Sequence, residues 1–137
     1  MSGLAFGKKH RLLNAGDYQN VFRRARYKVS SKHILILAIE NRSAHARLGL
    51  VVGKKHLKHA VQRNRFKRLS RESFRHQQQL LAGLDIIILV RGNLSGEENA
   101  RIRQSIDTLW LDLIRRREKA RPTGPSSPSQ EPDRHAE

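Results

Sequence analysis

Between Lys54 and Arg75 the chain reads KKHLKHAVQRNRFKRLSRESFR, nine lysines and arginines against a single acid, Glu72. Such density suits the binding of phosphate oxygens, which guanidinium forks match bidentately and ammonium groups meet as point charges. On a helical wheel at about 100° per residue, Arg63, Lys67, Arg71 and Arg75 follow one another at i+4, with Asn64 and Arg68 on the same side. Val61, Leu69, Ser73 and Leu80 point roughly opposite, toward an expected core, with Phe66 near the edge. Like charges at i+4 repel by a few tenths of a kcal/mol per pair. A fold with no use for this row would be expected to dilute it with glutamates, and phosphate contacts give a reason to keep it.

Other chemistries find little support. Protein-based phosphodiester hydrolysis needs clustered carboxylates for metal ions or well-placed histidines. Here Asp17, Glu40, Glu72 and Asp85 are scattered, no D-x-D or D-x-E pair occurs, and Glu97–Glu98 is explained by helix capping. His56 and His59 can share a helix face, but no third metal ligand lies near in sequence, so they read as solvated or phosphate-contacting. No metal site and no catalytic residue is therefore expected in the protein. The chain has no cysteine, which excludes disulfides, thiolate zinc sites and cysteine nucleophiles. Neither G-x-x-x-x-G-K-[ST] nor G-x-G-x-x-G occurs, so nucleotide hydrolysis and dinucleotide chemistry are unsupported.

The whole chain repeats the message of the segment. Across 137 residues, 28 Lys+Arg oppose 12 Asp+Glu for a formal +16. Glu131, Asp133 and Glu137 lie beyond Arg121, where only Arg134 is basic, so residues 1–121 carry 27 basic and 9 acidic groups, a net +18. That much like charge opposes compaction unless a polyanion is the normal partner. Nucleic acid fits best, because neutralising phosphates releases condensed counterions. MSGLAFGKKHRLL has no apolar signal region, and the longest apolar run, Ile34 to Ile39, is too short for a bilayer. A cytoplasmic protein without a membrane partner is the expectation.

The elements that must position the basic segment can be read in order. Asn14 is a good N-cap for a first helix, with Asp17 at N3, a Leu13–Tyr18 staple, and the stripe Tyr18, Val21, Phe22 and Ala25. Strands are expected at Tyr27–Ser30 (weakly), His33–Glu40 and Arg47–Gly53, with a turn at Asn41–Arg42–Ser43. HILILAIE is nearly continuously apolar, as a strand buried on both faces would be. Residues 57–81 lack Gly and Pro and read as a helix about 35–40 Å long, ended by Gly83. Asp85–Arg91 is a further buried strand. Ser95 and Glu98 form a capping box for a last helix carrying Ile102, Ile106, Leu109, Trp110, Leu113 and Ile114, which fades into Arg115–Arg116–Arg117. Residues 122–137 hold four prolines and almost nothing apolar, and read as a disordered tail after a single domain at 1–121. The order α-β-β-β-α-β-α gives an α+β fold, an α/β sandwich of a small mixed sheet and helices.

Composition leaves two nucleic-acid readings open, a subunit of an RNA-based enzyme and a ribosomal protein. A DNA-reading helix at 57–75 lacks helix-turn-helix spacing and a dimerisation stripe. The order of residues goes further than composition. Lys54–Lys55, followed by Ala60–Val61–Gln62–Arg63–Asn64–Arg65–Phe66–Lys67–Arg68–Leu69–Ser70–Arg71–Glu72–Ser73–Phe74–Arg75, closely resembles the "RNR" signature of bacterial ribonuclease P proteins. The resemblance runs from about Arg11 through Arg117 and stops before the tail. It implies a left-handed crossover around the signature helix, where general topology favours the right-handed form. It also implies a partnership with the catalytic RNA subunit and precursor tRNA, and none with DNA. In this reading the RNA and its magnesium ions remove the 5′ leader, and the protein assists. The implied RNA-binding set is Lys54, Lys55, Arg63, Asn64, Arg65, Lys67, Arg68 and Arg71. The implied leader groove lies between the first helix and the sheet, at Tyr18, Phe22 and the sheet centre around Ile36. Tyr18 and Phe22 also fit an ordinary core stripe, and the residue pattern alone leaves that open.

Overall fold

The structure, a computed structural model, describes Arg11, residues 14–94 and residues 96–120. The expected order is present: α1 (Ala15–Arg24), β1 (Tyr27–Ser30), β2 (Ile34–Glu40), β3 (Arg47–Val51), α2 (Ala60–Gln77), β4 (Leu84–Val90) and α3 (Asn99–Ala120). The strands form one mixed sheet in the order β1-β2-β4-β3. β2 is antiparallel to β1 and β4, while β3 runs parallel to β4, so α2 is the crossover between neighbouring parallel strands. The two central strands are the two apolar runs, HILILAIE and DIIILVR. The weakest strand signal, Tyr27–Ser30, is an edge.

Strand alternation divides the core in two. Ile34, Ile36 and Ala38 of β2, with Ile86 and Ile88 of β4, join Phe66, Phe74, Ile106, Trp110 and Leu113 beneath α2 and α3. Leu37 and Ile87 face the other way and bury Val21 of α1, with Tyr18, Ala25, Leu35, Ile39, Val51 and Leu89 around them. α1 is thus alone on one face of the sheet, and α2 and α3 share the other.

Local chemistry explains most boundaries. The Asn14 side chain accepts the Asp17 N–H at 2.9 Å, capping α1 as its sequence foretold. The proposed Leu13 staple lies outside the described residues. The turn after β2 is an Asx turn, with Ser43 N–H donated to Asn41 Oδ1 at 2.8 Å. α2 is shorter than the Gly- and Pro-free stretch 57–81. At its start, His56 and Leu57 both donate to the Gly53 carbonyl at 3.2 Å, Leu57 is buried, and His59 is extended at the N-cap. At its end, the chain passes through turns to Gly83, whose φ of +86° suits glycine. The last helix starts at Asn99, with Ile102 N–H bonded to the Glu98 carbonyl, so Glu98 stands before the helix and cannot be the third residue of a capping box. Ser95 lies outside the described residues, as does the tail at 122–137.

α2 and α3 are held together by a polar string within their apolar seam. The Trp110 indole N–H donates to Ser73 Oγ at 2.9 Å, Ser73 Oγ donates to Asp107 Oδ1, and Arg103 Nε donates to the same oxygen at 3.1 Å. Arg103 also reaches Glu72 at 3.7 Å. A buried indole N–H without a partner is costly, and Ser73, a serine on the apolar side of the wheel, supplies it.

Candidate nucleic-acid interface

Two surfaces collect the residues singled out by the sequence. The first is α2 with the loop before it. The buried stripe of the helix is Phe66, Leu69, Ser70, Ser73 and Phe74. Phe66 stands at the centre of that stripe, not near its edge. Five residues at about 100° each place Val61 some 140° away from Phe66, and Val61 is 67 % exposed. Leu80, 59 % exposed, lies beyond the helix in the following turns. The expectation that both face the core is therefore corrected: the helix is turned so that its aromatic residues, not its aliphatic ends, fill the seam.

The same rotation sorts the cations. Asn64, Arg65 and Arg68 are exposed, as are Lys54 and Lys55 in the turn that begins at Gly53. Lys67 and Arg71 are half-buried on the flank turned away from α3, since Glu72 and Ser73 occupy the flank that meets it. Arg63 has a local occupation. Its guanidinium Nη1 donates to the Leu57 carbonyl at 2.9 Å and the Lys58 carbonyl at 2.8 Å, bracing the loop that carries Lys54 and Lys55. His56 and His59 do not share a helix face as a metal pair would require, because both precede the first helical residue. Among the described residues no group of three or more His, Asp or Glu is placed to hold a metal.

The second surface is the α1 face of the sheet. Val21 is seated on Leu37 and Ile87, but α1 has only 10 residues and leaves Leu35, Ile39, Val51 and Leu89 half-covered. Phe22 stands at its rim, 45 % exposed. Tyr18 packs against Gly49 of β3: a Cβ there would come 2.7 Å from its ring, so glycine is what admits the close approach. The two aromatics of the stripe thus divide, one half-buried on the sheet and one presented outward. Ile36 does not belong to this surface. It is fully buried on the opposite face, beneath α2 and α3, and the β2 residues on the α1 side are Leu35, Leu37 and Ile39. Because β2 is apolar at nearly every residue, its sequence carries no contrast between faces. The polar alternation of the neighbouring strand, Lys28 and Ser30 outward on the α1 side, was the usable signal once register was known.

A buried ion pair fixes one end of this face. Arg47 clasps Asp85 through Nε to Oδ1 at 2.8 Å and Nη2 to Oδ2 at 2.7 Å, and Asn41 donates to Asp85 at 2.7 Å. The hydrogen bond from Arg47 to Asp85 and their opposite charges raise the Arg47 pKa above its ordinary value. Asp17 of α1 lies 3.7 Å from the same guanidinium, so this pair also orients the helix. Most acids of the fold are committed in this manner. At the same end of the sheet, on its other face, burial disfavours the charged Glu40 carboxylate, but hydrogen bonds from Tyr27 at 2.5 Å and Arg26 at 3.2 Å outweigh it and lower its pKa.

Comparison with known proteins bears on the family and the fold. Residues 6–113 match the family model described as Ribonuclease P. The chain is 51 % identical over 112 residues to the ribonuclease P protein component of Pseudomonas aeruginosa, covering 82 % of this chain and 83 % of that one. It is 52 % identical over 112 residues to that of Pseudomonas putida, covering 82 % and 84 %. Among solved structures, the RNase P protein of Staphylococcus aureus superposes with a TM-score of 0.69 at 26 % identity, covering 75 % of this chain and 94 % of that one. The RNase P protein of Thermotoga maritima gives 0.63 at 29 % identity, covering 77 % and 96 %. In motif, fold and sequence alike, the chain belongs to the bacterial ribonuclease P protein family.

Proposed function

We propose that this subunit of ribonuclease P uses its two surfaces for two RNAs. The loop at Lys54 and Lys55 and the outward side of α2, with Asn64, Arg65 and Arg68 foremost and Lys67 and Arg71 on the flank, takes phosphates of the catalytic RNA. Arg63 supports that surface by holding the loop in shape. The half-covered sheet face beside α1 takes the 5′ leader of precursor tRNA. Hydrolysis, with its magnesium ions, is the work of the RNA, and the protein supplies affinity and screens repulsion between the two RNAs.

One observation carries the leader assignment. An aromatic ring, Phe22, is presented outward at the rim of a sheet face left half open by a short helix. Single-stranded RNA is held by aromatic faces within positive channels, at about 1–3 kcal/mol per stacked base. Phe22→Leu keeps most of the apolar volume and removes the ring face. The holoenzyme should then lose about 1–3 kcal/mol of affinity for precursor tRNA and none for mature tRNA, which has no leader. Equal losses on the two substrates would remove the leader from this face.

A further inference from the structure

The basic run Arg115–Arg116–Arg117 at the end of α3 belongs to neither surface, and the structure separates its members. Arg117 is structural, donating to the carbonyls of Leu80 at 3.2 Å and Ala82 at 2.6 Å. Arg116 pairs with Asp112 at 3.5 Å. Arg115 is exposed, and among the described residues no carboxylate pairs with it.

Arg115 lies in a crevice between α3 and the outer strand β1. A groove of about 730 Å³ opens there between α3 and the β1–β2 turn, with Lys32, Arg101 and Arg115 on its walls beside the hydroxyls of Ser31, Ser105 and Thr108. A smaller one of about 290 Å³ is lined by Arg26, Lys28, Arg116 and Lys119. Neighbouring residues on both walls, Arg115 then Arg116 and Ser30 then Lys28, set the second beyond the first along one crevice. From Arg101 to Lys119 the helix wall is about 27 Å long. Two carboxylates line the whole length, Glu97 and Asp112, and Asp112 is taken by Arg116. Lys32, Arg101, Arg115 and Lys119 are exposed and have no ion-pair partner among the described residues.

Four unpaired cations and three hydroxyls along one crevice fit a run of phosphodiesters. A surface made only for solubility would mix both signs. The crevice lies at the β1 edge of the sheet and α2 follows the β3 edge; these outer strands are three strand spacings, about 14 Å, apart. Both lie in the helical layer, on the side of the sheet opposite α1. We infer that the α3–β1 crevice is a second phosphate-backbone site for the catalytic RNA, so that the RNA grips the helical layer from both flanks. The identity of the partner rests on the reading proposed above; the site rests on the charge and shape of the crevice.

The test uses the full chain and its cognate ribonuclease P RNA, titrated over a range of monovalent salt. A triple variant Arg101→Gln, Arg115→Gln, Lys119→Gln is compared with Arg65→Gln, Arg68→Gln on α2 and with the charge-keeping Arg101→Lys, Arg115→Lys, Lys119→Arg. The triple variant should bind the RNA about tenfold more weakly near physiological salt, with the log–log salt slope smaller by about 2. The charge-keeping variant should match the unmodified protein, and all should melt alike, since the side chains are exposed. An unchanged slope in the triple variant beside a reduced slope in the α2 variant would overturn the crevice site alone. No change in either would overturn the α2 reading as well. A loss confined to precursor tRNA, with binding to the catalytic RNA intact, would also overturn the inference as stated.

Discussion

Arg63 and Arg68 are five residues apart in one helix, yet the structure gives them different work. Arg68 is exposed, whereas Arg63 holds two carbonyls of the Leu57–Lys58 loop. Arg68→Ala should flatten the salt dependence of binding to the catalytic RNA by about one unit of log–log slope or less, with melting unchanged. Arg63→Ala should also weaken RNA binding, and in addition cost roughly 1–2 kcal/mol of stability, as lost hydrogen bonds to a charged donor do. Chemical denaturation beside filter binding separates the two, and equal stability in both variants would deny Arg63 its bracing role. Glu40 gives a residue-scale effect that depends on pH. Its folded pKa lies below the ordinary 4.5, so its contribution is present above that value and disappears as pH falls through the folded pKa. Glu40→Gln should therefore lower the melting temperature at neutral pH, and the gap should close in acid. A gap constant from pH 7 to pH 3 would mean that charge is not what Glu40 supplies.

At the scale of elements, the joints matter more than the elements. The turn from α2 into β4 is fastened three ways: Gly83 has a φ of +86°, its carbonyl accepts from Asn41 N–H at 2.7 Å, and Arg117 spans the carbonyls before it. A Cβ at Gly83 would also stand 3.2 Å from the Arg117 guanidinium. Gly83→Ala should cost about 1–2 kcal/mol, the penalty of an L-residue in the left-handed region. Equilibrium unfolding in urea reads it directly, and a neutral result would show that the turn relaxes into another conformation. Helix α2 itself reaches the seam through Phe66, Phe74 and Ser73, and its outward side is free to be basic because Trp110, Asp107 and Arg103 of α3 hold the inward side.

For the whole molecule, a net charge of +16 on 137 residues has to be tolerated before RNA arrives. The fold does this by committing acids inward or to the seams, as with Asp85, Asp107 and Glu72, while leaving cations on α2, the Lys54–Lys55 loop and the α3–β1 crevice outward. Residues 122–137 add acids and prolines without an apolar pattern. Their deletion should leave the melting temperature and the reconstituted cleavage of precursor tRNA nearly unchanged. A marked loss of either would make the tail an integral part of the subunit.

The sequence by itself determined the kind of partner, the order of elements and the family. Net charge needs no fold to be counted, the helix and strand periods are local, and the signature is an ungapped string. Only the tertiary structure decided which face each side chain meets. The resemblance puts Ile36 beside α1, whereas the structure has Ile36 beneath α2 and α3 and Leu35 and Leu37 on the α1 side, because a strand apolar at nearly every position records no contrast between its faces. Likewise, Arg63 and Arg117 look like their basic neighbours in sequence. Both are engaged by carbonyls whose positions are fixed by turns, and a wheel drawn on one helix cannot show those turns.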